Sequence, residues 1–201
     1  MIYYLPEKPQ SYILKVKQSK FISYLRMCNS LQEFKSWLSQ VKRDHYDSSH
    51  VCWAYAISRN QSVDYHYSDG GEPSGTAGQS ILNIIKTNKL IQSGLVVVRY
   101  FGGIKLGKKG LVDAYGTAAD GVILITPIMK WSKKVKFIII FPMDYFGEVY
   151  EHLSKIDGKI LKDISADQCK WIIEIEIGRT SGLIQIIRNI TGGFGKIEKI
   201  E

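Results

Sequence analysis

The sequence has few cysteines and no long apolar segment. Three cysteines, an odd number, lie far apart among 201 residues, and none belongs to a C-x-x-C pair. This spacing argues against a disulfide framework and favours reduced thiols, as in a cytosolic protein. The longest apolar run covers residues 137–141, whereas a helix that spans a bilayer needs roughly 18 residues. The N-terminus also lacks the basic and apolar stretches of a signal peptide. We therefore expect a cytoplasmic protein without a membrane partner.

The sequence also lacks the compositional bias of disordered and fibrous proteins. Hydrophobic residues make up 45% and charged residues 23%, which are ordinary values for a globular protein. The formal net charge is +8, and most of the excess lies in residues 1–128, which hold 15 Lys and Arg against 9 Asp and Glu. Such a basic balance favours polyanionic partners, either RNA or an acidic protein surface.

The order of predicted elements indicates an α+β protein with two domains. In the first domain we expect strands at 12–16, 21–27, 50–57, 63–67 and 95–98, and three helices. The first covers about 31–43, the second has its apolar face at 81–85, and the third has its apolar face at 111–125. A capping-box pattern, Ser30-Leu-Gln-Glu33, marks the start of the first helix. The run Leu95–Val98 is too apolar for an edge strand and is predicted to lie in the centre of a sheet.

A break at Thr126-Pro127 predicts the boundary of this domain, because proline disfavours helix in the preceding residue. The domains are predicted at 1–127 and 133–201, with the hinge near 127–132. The second is expected to contain strands at 133–141, 159–164, 170–177 and 196–200, and helices at 144–156 and 181–190. This β-α-β-β-α-β order is the ferredoxin-like plan.

Two glycine-rich stretches contain most of the residues that are predicted to bind a ligand. The first, Pro73-Ser-Gly-Thr-Ala-Gly78, lies directly before a helix, where backbone N–H groups lack partners and the helix dipole favours negative charge. Small residues allow an anion to approach such amides. The stretch therefore predicts a phosphate or carboxylate cradle. The alternative is that Ser74 or Thr76 caps its own helix.

The second stretch, Arg99-Tyr-Phe-Gly-Gly-Ile-Lys-Leu-Gly107, leaves the end of the predicted central strand. Ligand sites gather where loops meet at strand ends, so we expect both stretches to line one hollow. Lys108 and Lys109 at the start of the next helix oppose its dipole, a conflict that a bound anion relieves. The predicted anion-binding residues are Ser74, Gly75, Thr76, Ala77, Arg99, Gly102, Gly103, Lys105 and Lys108.

Three further residues are predicted to support this site. Asp69 and Glu72 flank the first stretch, where they pair with nearby cations or hold a magnesium ion; we favour the pairing. His50 lies two residues from Cys52 on a predicted strand, which raises the alternative of a cysteine hydrolase. A lone cysteine on a strand is more commonly a small buried hydrophobe. We expect no metal, no cofactor and no catalytic residue.

Residues 102–108 also fit the phosphate-loop pattern G-x-x-x-x-G-K in part. That loop needs Ser or Thr at the next position to hold magnesium, and the residue here is Lys109. We therefore do not expect a nucleoside triphosphatase.

In their order and spacing, three segments resemble the YigZ/IMPACT family. They are Ser49-His-Val-Cys-Trp-Ala-Tyr55, Asp69-Gly-Gly-Glu-Pro-Ser-Gly-Thr-Ala-Gly78 and Arg99-Tyr-Phe-Gly-Gly-Ile-Lys-Leu-Gly107. The resemblance is close over about residues 15–125. It implies a first domain with the fold of the second domain of the small-subunit ribosomal protein S-five. For the bacterial branch it also implies a ferredoxin-like second domain similar to one in elongation factor G.

The resemblance also implies a role in translation. The eukaryotic relative regulates translation initiation under amino-acid stress, whereas ribosome or RNA association and a peptidase role have both been suggested for bacterial members. Two departures from the family pattern affect the site. Lys108, Lys109 and Asp113 stand where the family has two small residues and an arginine. Asp69-Gly-Gly-Glu72 has one carboxylate fewer than the usual Asp-Asp-Gly-Glu.

We therefore expect a non-enzymatic cytosolic regulator of translation that binds RNA or a ribosomal surface through a basic, glycine-rich cleft. Two alternatives stay open. One is a hydrolase, acting on a peptide or a phosphate ester in the same cleft. The other is a protein-interaction module whose basic face docks an acidic partner.

Overall fold

The computed structural model describes residues 2–59 and 62–200 of the chain. It divides into two compact units, Met1–Trp131 and Ser132–Glu201. The predicted turn at 58–62 includes Asn60 and Gln61, which lie outside the described residues. No helix in the described part of the chain is long and apolar enough to cross a bilayer.

A five-stranded antiparallel sheet forms the centre of the first unit. Its strands are β2 (Gln10–Val16), β3 (Ser19–Met27), β4 (His50–Arg59), β5 (Ser62–Ser68) and β6 (Ser93–Tyr100), in the order β2-β3-β6-β4-β5. The predicted central position of the apolar run is confirmed, because Leu95–Val98 of β6 are fully buried.

Helices cover both faces of this sheet. The helices α2 (Gly78–Thr87) and α3 (Gly107–Leu124) pack on one face, and α1 (Leu31–Asp44) covers the other. Side chains alternate between the faces with the period of two of a strand, so Val97 joins the α2 and α3 side and Val96 the α1 side. Helix α1 begins as predicted, with the Ser30 Oγ accepting a hydrogen bond from the amide of Glu33.

The segment predicted as a hinge is largely a strand. Residues Ile128–Trp131 form β7, which pairs antiparallel with β1 (Tyr3–Pro6) in a separate two-stranded sheet. The first unit therefore extends to Trp131. The four residues of β7 are too few to show a clear alternation, and three of them are exposed.

The second unit has the predicted ferredoxin-like order of elements. They are β8 (Lys134–Phe141), α4 (Phe146–Lys155), β9 (Lys159–Asp163), β10 (Cys169–Glu176), α5 (Thr180–Ile190) and β11 (Lys196–Ile200). Its sheet is antiparallel with the order β11-β8-β10-β9. Alternate residues of β8 and β10 are buried and pack against α4 and α5. The α+β, two-domain fold class is thereby confirmed.

Candidate functional site

A cleft of about 540 Å³ lies in the first unit, where β4 and β6 meet the two glycine-rich stretches. The first loop (residues 69–77) joins β5 to α2 and contributes Glu72 and Pro73. The second loop (residues 101–106) joins β6 to α3 and contributes Phe101, Lys105 and Leu106. The two stretches therefore converge on one hollow, as the sequence predicts, although residues 74–77 do not line it.

The register of the sheet brings the polar residues of the cleft together. Arg99, near the end of β6, lies opposite His50 at the start of β4 and opposite Phe21 on β3. Residues in one register row share a face of the sheet. The Arg99 guanidinium carbon accordingly lies 5.5 Å from the Phe21 ring centroid, on the side covered by α3.

A buried ion pair closes the floor of the cleft. An Arg99 nitrogen donates to Glu72 Oε1 at 2.6 Å, and the Tyr115 hydroxyl donates to the same oxygen at 2.9 Å. The side chains of Glu72 and Arg99 are 3% and 5% exposed. The predicted pairing of Glu72 is confirmed. Arg99 also has this internal counter-charge, and that it binds an external anion stays a prediction.

Backbone amides around the first loop bind the carboxylate of Asp69, a residue of the same loop. Asp69 Oδ2 accepts a hydrogen bond from the amide of Gly75 at 2.9 Å. Its Oδ1 accepts from the amides of Ala77 at 3.0 Å and Gly78 at 2.8 Å. These are the free amides that the sequence assigns to a phosphate, so that assignment is corrected for Gly75 and Ala77. A carboxylate nine residues or fewer upstream already satisfies them and the positive end of the α2 dipole.

Ser74 and Thr76 do not bind an anion in this arrangement either. The Thr76 hydroxyl donates to the Pro73 carbonyl oxygen at 2.6 Å, and Thr76 is only 3% exposed. Ser74 is exposed and does not line the cleft. The predicted alternative, a cap from Ser74 or Thr76, is also wrong, because Asp69 supplies the cap. The spacing of residues along the sequence does not show that the Asp69 carboxylate accepts hydrogen bonds from amides six to nine residues downstream.

His50 and Cys52 engage different carbonyl groups. His50 Nδ1 lies 3.1 Å from the carbonyl oxygen of Gly70, and the Cys52 thiol donates to the carbonyl oxygen of Asp69 at 2.9 Å. Burial raises the pKa of the fully buried Cys52 thiol to about 12. A nucleophilic cysteine needs a thiolate at neutral pH, so the structure contradicts a cysteine hydrolase that uses Cys52.

Tyr115 is a floor residue that the sequence does not single out. The helical pattern assigns it to the core, and it is fully buried. Burial raises its pKa, and the neighbouring Cys52 and Glu72 add to the shift. The hydroxyl therefore stays protonated and serves as a donor to Glu72. Sequence reasoning could have identified Tyr115 from one rule, that the hydroxyl of a buried tyrosine needs a hydrogen-bond partner.

The glycines of the second loop shape its backbone. A Cβ on Gly102 would lie 2.1 Å from the backbone of Gln18, and the Gly102 amide donates to Ser19 Oγ at 3.3 Å. Gly103 has φ +84, a left-handed conformation that favours glycine. Gly102 thus permits close packing against the turn between β2 and β3. The prediction that its amide binds an anion is wrong.

The start of α3 keeps the properties that the sequence predicts. Its N-cap residue, Leu106, has no side chain that can cap the first amides. Lys105 and Lys108 are exposed and line the cleft. Among the described residues, neither has a carboxylate oxygen within 4.0 Å. This end of the cleft therefore combines an uncapped helix start with two cations free of internal partners.

An exposed aromatic ring stands beside these cations. Phe101 lines the cleft and is 47% exposed, and the Arg99 guanidinium carbon lies 5.3 Å from its ring centroid. Tyr100, the other aromatic residue at this strand end, instead hydrogen-bonds to His45 Nδ1 through its hydroxyl at 2.8 Å. Of these two rings, Phe101 is therefore the one that can meet a ligand in the cleft.

A metal centre is not apparent in this part of the molecule. Within residues 2–59 and 62–200, no group of three or more His, Cys, Asp or Glu side chains is arranged to hold a metal ion. The two carboxylates that could attract magnesium, Asp69 and Glu72, are occupied by backbone amides and by Arg99.

Comparison with known proteins identifies the family. The model of the Impact N-terminal domain matches residues 17–123, which include both loops and the whole cleft. The chain belongs to the IMPACT family. IMPACT family member YvyE of Bacillus subtilis is 30% identical over 203 residues, which is 99% of this chain and 91% of that protein. IMPACT family member YigZ of Escherichia coli is 30% identical over 158 residues, 78% of each protein.

A solved structure shares the fold of the complete chain. A crystal structure described as a hypothetical protein matches with a TM-score of 0.69 and 24% sequence identity. The match covers 100% of this chain and 98% of the other. This likeness supports the fold alone.

Proposed function

We propose that the protein is a non-enzymatic, cytoplasmic regulator of translation that binds RNA or a ribosomal surface through the cleft. Membership of the IMPACT family supports a role in translation. The observation that carries the proposal is the open start of α3, where Lys105 and Lys108 line the cleft and form no ion pair with the residues that the structure describes. Phosphate groups of RNA suit both the cations and the helix dipole.

The proposal assigns binding to Lys105, Lys108 and the first amides of α3. The internal hydrogen bonds of Arg99 and of the first loop support a role for them as the framework beneath these groups. Contacts of this kind hold a sugar–phosphate backbone without selecting a sequence. An acidic protein partner would also meet the two lysines, and the experiment below distinguishes it from RNA.

The first experiment measures how salt affects RNA binding. The anisotropy of a fluorescein-labelled single-stranded RNA of mixed sequence is followed between about 50 and 200 mM salt. We expect a steep loss of affinity, because bound cations displace condensed counterions. Replacing Lys105 and Lys108 together by Ala should weaken binding and reduce the slope of log affinity against log salt by about 1.4 for single strands.

A matched variant controls for net charge. Lys35→Ala with Lys86→Ala removes the same charge from exposed positions on α1 and near the end of α2, neither of which lines the cleft. This control should bind RNA nearly as the unaltered protein does. A flat salt dependence, or equal losses in the two double variants, would contradict the proposal. Capture of one protein that persists after nuclease treatment, without RNA binding, would favour the acidic partner.

A further inference from the structure

The cleft has the dimensions of a site for a small ligand. Its volume of about 540 Å³ lies within the range of pockets that enclose small organic molecules, roughly 300–1,000 Å³. Bases inside an RNA duplex are stacked and paired, whereas single strands can place an unstacked base in a protein pocket. A concave site of this volume therefore suits one unpaired nucleotide rather than a double helix.

The walls of the cleft suit the flat face of a base. Pro73, Phe101, Leu106 and Leu111 line it with apolar surface. Arg99 lies between the rings of Phe21 and Phe101, 5.5 and 5.3 Å from their centroids, and thereby supports Phe101 from within the protein. The exposed part of the Phe101 ring is available for stacking, which contributes to single-strand binding whatever the base.

The floor of the cleft offers a hydrogen-bond acceptor. Within the described residues, both hydrogen bonds to the Glu72 carboxylate reach Oε1, from Arg99 and Tyr115. The other oxygen, Oε2, lies 3.9 Å from His50 Nε2, which is too far for a direct hydrogen bond. Glu72 Oε2 is therefore available to an N–H donor of a ligand.

The free oxygen of Glu72 matches an amino group, which donates through N–H. Adenine, cytosine and guanine carry an exocyclic amino group, whereas uracil has a carbonyl oxygen in the place of the cytosine amino group. That carbonyl oxygen would face the Glu72 carboxylate and lose its hydrogen bonds with water. A buried polar group without a partner is costly, so the floor disfavours uracil.

We infer that the cleft binds one unpaired, amino-bearing nucleobase of single-stranded RNA. The base stacks on Phe101, its amino group donates to Glu72 Oε2, and the adjoining phosphates contact Lys105 and Lys108. This inference rests on the function proposed above and adds base selection to it. It makes Glu72 the residue that discriminates between bases.

The test compares three labelled ribohexamers by fluorescence anisotropy with the full chain at about 50 mM salt. They are oligo(C), oligo(U) and an abasic hexamer with the same sugar–phosphate backbone. Cytosine and uracil have the same ring size, so their comparison isolates the amino group. We expect oligo(C) to bind about tenfold more tightly than oligo(U), and the abasic hexamer to bind more weakly than oligo(C).

Two variants separate stacking from base selection. Phe101→Ala should weaken oligo(C) binding about tenfold or more and leave abasic binding unchanged. Phe194→Ala removes another phenylalanine, 74% exposed in the second unit, and should change neither. Glu72→Gln keeps an acceptor for Arg99 and Tyr115 but replaces the free oxygen by an N–H donor. This variant should bring the ratio of oligo(C) to oligo(U) affinity close to one, and circular dichroism confirms that it is folded.

The outcomes distinguish the inference from the proposed function. Equal affinity for all three hexamers, or a preference for oligo(U), overturns the inference and leaves a phosphate-binding function intact. Failure to bind any of the three overturns both. A preference for oligo(C) that is lost in both cleft variants supports the inference.

Discussion

The first and second loops are both rich in glycine and both lead into a helix, yet they differ in what their amides bind. In the first loop the Asp69 carboxylate accepts hydrogen bonds from Gly75, Ala77 and Gly78. At the end of the second loop, no side chain of residues 2–59 or 62–200 caps the start of α3, and the cations Lys105 and Lys108 lie beside it. A glycine-rich stretch before a helix is therefore an external anion site only if the chain supplies no carboxylate of its own.

The first loop consequently has a structural role, whereas the second is the one proposed to bind the ligand. Both acidic residues of the first loop are used internally, Asp69 by the backbone and Glu72 by Arg99. The first loop is thus a rigid framework, whereas the second presents its charge to solvent. Substitutions in the first loop should mainly lower stability, and substitutions in the second should mainly lower binding.

The largest effect is expected from breaking the buried ion pair. Glu72→Ala leaves Arg99 buried without its counter-charge, which costs about 3–5 kcal/mol in comparable pairs. Urea denaturation measures the loss. Replacing the pair by Glu72→Leu with Arg99→Met should recover most of it, since a buried pair contributes little over apolar packing.

An exposed pair provides the matched control. Glu151 and Lys155 lie one helical turn apart on α4, and both are largely exposed. Glu151→Ala should cost far less than Glu72→Ala, because water screens an exposed ion pair. Comparable losses for Glu72→Ala and Glu151→Ala would contradict the structural role assigned to the first loop.

A somewhat smaller effect is expected from removing the internal anion. Asp69→Ala takes the acceptor away from three amides and uncaps α2, for a loss of about 3 kcal/mol in the free energy of unfolding. Asp113→Ala removes an exposed carboxylate from α3 and should change stability by less than about 0.5 kcal/mol. If Asp69→Ala were as stable as Asp113→Ala, the hydrogen bonds from the first-loop amides to Asp69 would contribute nothing to stability. That result would contradict the difference between the two loops.

The smallest effect is expected from raising the pH by one unit above about 9, through Cys52. Its thiol donates to the Asp69 carbonyl oxygen, and burial raises its pKa from 9.0 to about 12. Between these values the unfolded chain loses the proton and the folded chain keeps it, so stability falls as pH rises above about 9. The contribution is about 1.4 kcal/mol per pH unit.

This contribution is measured by comparing denaturation curves at several alkaline pH values. Cys52→Ala should make the decline of stability with pH shallower than in the unaltered protein. Identical slopes would count against a buried, protonated thiol, as would rapid alkylation of Cys52 in the folded protein at neutral pH.

The sequence predicts elements whose side chains follow a regular period. The second unit is an example, because β10 alternates strictly between buried and half-buried residues. The convergence of the two loops also follows from sequence, since the apolar run in β6 requires a central strand whose end meets neighbouring loops. Local patterns and one strongly buried strand therefore suffice for the fold and for the position of the cleft.

The details of the site depend on contacts between distant residues. No spacing rule indicates that Asp69 accepts from three amides, or that Arg99 pairs with a residue 27 positions away. Exposure is equally a tertiary property. It distinguishes Phe101, which faces the cleft, from Tyr100, whose hydroxyl pairs with His45. Prediction from residue type alone therefore assigned Arg99 and the first-loop amides to the ligand.

The pairing of β1 with β7 has a consequence for how the chain is made. Tyr3 lies opposite Trp131, so β1 cannot pair until β7, at the other end of the same unit, has been synthesised. During synthesis that partner leaves the ribosome only after every other element of the unit. A fragment truncated at Pro127 would lack it entirely, whereas one that ends at Trp131 would contain every strand needed to close the unit.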